Sequence, residues 1–151
     1  MDAATIGIAG GLAGVLLGAF LTYVLDRRKA VSVRLHESRI EAYKLFAITA
    51  MEYRRAVMDQ WFEDHKLQKR TEDDEVHRAR SSAWSAYYGV HLLTADKRLG
   101  ESGRQILDRI TALKDVANRE ELNRLGEDCR EEVDGFVELA RADVEVASKT
   151  I

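Results

Sequence analysis

Asp74 and His77 stand three residues apart in the run DDEVH, the spacing that brings an acid and an imidazole to one side of a helix. Carboxylate-bridged metal centres in helical bundles need two such pairs plus further inward glutamates, because the metals require several anionic oxygens and two imidazoles. This chain offers one pair, at a helix start, where an acid serves the helix dipole. His36, His65 and His91 are scattered without ligand spacing. We therefore expect no metal and no other cofactor. Cys129 is the sole thiol, so no intramolecular disulfide can form. It falls on an apolar stripe, where burial raises a thiol pKa and quiets it as a nucleophile. The N-terminal glycines lack the Lys-Ser/Thr ending of a phosphate-cradling loop, and the acidic run EDDE at 72–75 reads as a solvated helix start. No catalytic residue is assigned, and neither an enzyme nor a small-molecule substrate is expected.

The elements that carry these residues follow from composition. The 151 residues include no proline, which favours long helices with few connections. The 23 basic and 26 acidic side chains nearly balance, which gives no support to nucleic acid as a partner. Charge is unevenly placed: residues 26–70 carry a net +4, and residues 71–151 a net −6.

From Ala3 to Leu25 no residue is charged. A run of that length can cross a hydrocarbon core of about 30 Å, so the sequence predicts an uncleaved transmembrane anchor over residues 1–25. Asp26 is followed by Arg27, Arg28, Lys29 and Arg34, a basic juxtamembrane segment over 26–34 suited to lipid headgroups. The positive-inside bias then predicts a single-pass inner-membrane protein, N-terminus outside and C-terminal part cytoplasmic. Within the anchor, Gly10, Gly14 and Gly18 recur every four residues, and Gly7 and Gly11 extend a second series. Small-xxx-small spacing lets helix backbones approach closely in lipid. The expected partners are membrane lipids and either further copies of the chain or another membrane protein. The competing explanation is that small residues are simply common in membrane helices.

Residues 35–151 read as a cytoplasmic bundle. Leu35, Ile40, Tyr43, Phe46, Ala47, Ala50, Tyr53, Val57 and Trp61 keep three- and four-residue steps along one helix face ending near Glu63. A polar linker follows, and Thr71 with Asp74 resembles a capping box. A helix from about Glu72 to Leu93 buries Val76, Ala83, Tyr87 and Val90. Beyond TADK, Leu99, Ile106, Ile110, Leu113 and Ala117 mark another. Asn118 with Glu121 opens the last, which carries Leu122, Leu125, Cys129, Val133, Phe136, Ala140, Val144 and Ala147 in coiled-coil-like steps. The predicted fold is all-α: one transmembrane helix followed by an antiparallel bundle of about four helices. Trp61 with Phe62, and Trp84 with Tyr87 and Tyr88, concentrate aromatic area; core packing is the commoner use, and Trp61, Phe62, Trp84 and Tyr88 are the candidate partner face.

GGLAGVLLGAF followed by DRRK, then RIEAYKLF, VHLLTADKRLGESG and FVELARADV, resemble a loose class of short bacterial or phage-encoded single-pass membrane proteins with a glycine-rich anchor and a cytoplasmic helical bundle. The resemblance implies architecture and location and carries over no catalytic residue. The functional expectation is a non-enzymatic, membrane-anchored interaction or scaffold protein that self-associates through its anchor. The alternative is a membrane-active effector of holin, toxin or superinfection-exclusion type.

Overall fold

The computed structural model describes the backbone of residues 3–67 and 74–148, with side chains from residue 31 to 66 and from 74 to 148. Four α-helices occur: α1 (Ala3–Leu67), α2 (Asp74–Leu93), α3 (Lys97–Ala112) and α4 (Arg119–Ser148), with a 3-10 turn at Leu113–Asp115. No strand is present among the described residues. Residues 1–35 and 36–150 form separate units. In the first unit the described side chains Val31, Val33, Arg34 and Leu35 are exposed.

The all-helical expectation is met, but two others are corrected. Four helices stand where one anchor plus about four were expected, and among the described residues no helix is long and apolar enough to cross a membrane. The transmembrane anchor, and with it the single-pass inner-membrane location, is therefore withdrawn. Along the part of α1 whose side chains are described, Arg34, Glu37, Arg39, Glu41 and Lys44 place a charge on every turn. Such a helix commits one stripe to a protein core rather than its whole surface to hydrocarbon. Gly7, Gly10, Gly11, Gly14 and Gly18, and the side chains of Arg27, Arg28 and Lys29, lie outside the described residues, as does the Thr71 capping position.

The core of the second unit gathers one stripe from each helix. Tyr43, Phe46, Ala50, Tyr53, Val57 and Trp61 of α1 meet Ala83, Ala86, Tyr87 and Val90 of α2, Leu99, Ile106, Leu107 and Ile110 of α3, and Leu122, Cys129, Val133, Phe136 and Ala140 of α4. At its centre the Phe46 ring lies 4.7 Å from Phe136 and 6.4 Å from Tyr87. Burying each such phenyl contributes about 1.5–3 kcal/mol. Gly103 lets α3 come close: a Cβ there would stand 3.1 Å from Tyr87 and 3.3 Å from Phe46.

Short connections are closed by named caps. Asp96 accepts from the backbone N–H of Arg98 at 2.9 Å to start α3, and Asn118 accepts from that of Glu121 at 2.9 Å to start α4, as its spacing predicts. The Arg98 guanidinium beside Asp96 holds that carboxyl below the usual range. Between these helices, Trp61 Nε1 donates to the carbonyl of Val116 at 2.8 Å and ties the connection to α1.

Candidate interaction surface

Helices α1 and α4 run antiparallel: Arg39 and Tyr43 reach Asp143, Phe46 meets Phe136, and Arg54 donates to the carbonyl of Gly126. Three of these contacts are polar and directional, so they fix the register of the two helices as apolar packing alone would not. The Tyr43 hydroxyl donates to Asp143 at 2.7 Å, and Arg39 Nη1 lies 3.9 Å from the same carboxylate. Arg39 Nε also donates to the carbonyl of Leu93 at 2.9 Å, bringing the end of α2 into the cluster. Burial first, and the Asp143 carboxylate with it, pushes the Tyr43 phenol up to about 12, against a lowering by Thr94 and Arg39.

Above this fixed seam the surface is apolar. A groove of about 440 Å³ is lined by Ile40, Tyr43, Ala47, Ile48, Val137 and Val144, with Ala140 at its base and Lys44 and Arg141 at its edges. Ile40, Ile48 and Val137 are 41%, 47% and 44% exposed. A second depression continues it along the same helices through Met51 and Val133, flanked by Glu52, Arg55 and Asp134; Ala47, Ile48 and Val137 belong to both. Neighbouring apolar side chains are thus left half in water along two adjacent helices, an arrangement to which a protein partner can dock.

The opposite flank of α1 has another character. The depression between α1 and α2 is lined by Ser81, Ser82 and Ser85 together with Leu45, Thr49 and Gly89. Thr49 turns its hydroxyl back to the carbonyls of Leu45 and Phe46, at 2.9 and 3.2 Å.

The aromatic residues that the sequence singles out are divided between core and surface. Trp61 is buried, stacked on His65 at 3.6 Å and edge-on to Phe62 at 5.4 Å. Phe62 is partly buried, with the Arg119 guanidinium 5.5 Å from its ring. On α2, Trp84 packs edge-on against Tyr87 at 5.5 Å and lies 6.1 Å from Tyr88, which is exposed. Trp61 and Phe62 thus form one pair near the end of α1, and Trp84 and Tyr88 another on α2. Arg34 is exposed.

Cys129 is fully buried, and desolvation, with Glu132 as a lesser cause, pushes its thiol up to about 11. Asp74 and His77 are both exposed. The groove residues Ile48 and Val137 escaped the sequence reading because each lies beside, not on, the core stripe of its helix. Their signal was legible in principle: an aliphatic residue beside the buried period with charges three or four residues to either side.

A family model described as KilB plasmid transfer protein matches residues 40–144. That range contains every residue lining the groove and leaves out the N-terminal glycine run. No curated protein and no solved structure matches the chain.

Proposed function

The chain belongs to the KilB plasmid transfer protein family, and from that membership we propose that it acts in plasmid transfer as a non-enzymatic interaction module, engaging protein through the α1/α4 groove. The observation that carries this reading is the groove itself: Ile40, Ile48 and Val137, half exposed on helices whose other apolar stripes are spent on the core. Two further facts favour binding over chemistry. The one thiol is buried and its pKa is raised, which leaves it a packing residue. The seam beneath the groove is held rigid by the Arg39, Tyr43 and Asp143 cluster, and a preformed surface loses less freedom when a partner docks.

The test is plasmid transfer from donors whose only copy of the protein is Ile48→Glu/Val137→Glu. Two carboxylates in the groove must be desolvated by any apolar partner. Transfer frequency is expected to fall at least ten-fold while circular dichroism and the melting temperature stay within the wild-type range. Wild-type transfer by that variant would remove the groove from the function.

A further inference from the structure

Which macromolecule covers the groove is written in the charges beside it. On α1, from residue 41 to 55, the exposed side chains on the groove's side read Glu41, Lys44, Ile48, Glu52, Arg55. About Ile48 this order inverts: Lys44 and Glu52 are four residues to either side, and Glu41 and Arg55 seven. Turned end for end and laid on itself, the stripe sets every charge against its opposite. Four exposed charges on α4 repeat the property: Arg130 and Glu145 are equidistant from the Val137–Glu138 step, and so are Asp134 and Arg141, while Glu131 and Glu138 fall opposite Val144 and Val137. The two centres lie at one level, since Ile48 and Val137 line both halves of the groove.

We infer that the occupant is a second copy of this chain, docked face to face about a two-fold axis that lies in the interface, perpendicular to the helices, and passes at the level of Ile48 and Val137. This rests on the reading of the groove as a docking surface and names its partner. The operation pairs α1 antiparallel with its own copy and α4 with its own copy, so one axis satisfies both inverted charge patterns together. Isologous contact of this kind is the commonest way for a protein to self-associate. A parallel arrangement would set Lys44 against Lys44 and Glu52 against Glu52, which like-charge repulsion opposes.

Existing surface ion pairs leave these charges available. Lys44 to Glu41 at 3.9 Å, Arg55 to Glu75 at 3.7 Å, Arg141 to Glu145 at 3.2 Å and Arg130 to Glu127 all join exposed side chains. Such pairs contribute little and are easily re-formed across an interface. The pattern also limits the contact: Glu37 and Asp59 are equidistant from Ile48 and carry the same sign. They sit about 16 Å from the axis, where helices crossing at about 20° have begun to part. The matched stretch from Glu41 to Arg55 is about 21 Å long. Two helices of that length make a small interface, so the dimer should form at roughly micromolar concentration.

Full-length protein tests the arrangement in two ways. In sedimentation equilibrium, Lys44→Glu and Glu52→Lys should each weaken dimerisation about five- to ten-fold, because each places two like-charged pairs across the axis. The double variant should return to within about three-fold of wild type, the signature of a coupled pair. For geometry, Lys44→Cys and Glu52→Cys proteins are mixed and treated with a short bismaleimide, with Cys129 left in place because it is buried. The mixture should crosslink, as should Ile48→Cys by itself, whereas Lys44→Cys alone should not, its two copies being about 12 Å apart along the helices. A monomeric wild type, Lys44→Cys crosslinking to itself, or a double charge swap as weak as the singles would overturn the dimer. If Ile48→Glu/Val137→Glu still abolished transfer in that case, the docking role would survive with a different occupant.

Discussion

Phe136 and Val137 are adjacent in sequence and have opposite uses. Phe136 is fully buried against Phe46 and Tyr43, whereas Val137, about 100° further round α4, is 44% exposed on the groove. Phe46 and Ile48 repeat the contrast on α1. The lesson is that one helix carries two apolar stripes with separate purposes, the first ordering the fold and the second remaining after that order is complete. Hydrophobicity alone does not distinguish them, because both are aliphatic or aromatic and both flank charges. What separates them is whether the other helices of the same chain reach them.

The largest effect that can break this contrast is expected on the buried side. Phe136→Ala removes a ring in contact with residues of α1 and should cost about 3–5 kcal/mol in urea unfolding, the range for phenylalanine truncation in a closed core. A loss below about 1 kcal/mol would mean that the centre is loosely packed, and the distinction between the stripes would fail.

The same burial accounts for what the sequence made legible. Tyr43, Phe46, Ala50, Tyr53 and Val57, and equally Leu122, Cys129, Val133, Phe136 and Ala140, occupy the core as their helical period predicts. Period reports which side of a helix is apolar; it does not report how far the neighbouring helices extend. Leu35 and Ile40 continue the α1 stripe yet are exposed. Ala117 is exposed because α3 ends at Ala112 and a 3-10 turn redirects the chain. Leu107, fully buried next to Ile106, belongs to the same core stripe, which a helical period widens to include consecutive residues. The burial of Trp61 depends on the Val116 carbonyl 55 residues away, a partner that no local spacing specifies. The anchor reading had a further weakness of the same kind. It rests on a run whose side chains lie outside the described residues, and among the described residues no helix is long and apolar enough to cross a membrane.

A smaller effect sharpens the contrast through pH. The Cys129 thiol rises from 9.0 to about 11 and the Tyr43 phenol from 10.0 to about 12, both led by burial. Below pH 9 both groups are protonated in folded and unfolded chains alike, so they leave stability unchanged. Between 9 and about 11 the unfolded thiol ionises and the folded one does not; the phenol follows between 10 and about 12. Stability should therefore fall as pH rises through this window, by on the order of 1–2 kcal/mol per group after allowance for solvent screening. Urea midpoints measured from pH 7 to 11 check the direction. A Cys129→Ala variant should lose the earlier part of the decline, and a midpoint flat to pH 11 in wild type would show that these groups are not sequestered.

The smallest effect is expected on the second stripe, and its smallness is the point. Val137→Ser replaces one weak helix former by another of nearly equal propensity, and the aliphatic surface it removes is already almost half in water. In dilute protein, below the concentration at which two copies meet, the substitution should change unfolding free energy by no more than about 0.5 kcal/mol, as for ordinary surface positions. At high concentration wild type and variant should part company. A dimer adds stability by mass action, so the wild-type melting temperature should rise with protein concentration. In Val137→Ser the rise should be reduced or absent. Melting curves across a hundred-fold concentration range read both quantities from one set of samples. A concentration-independent loss of several kcal/mol would place Val137 in the core with Phe136, and the second stripe would then be a continuation of the first.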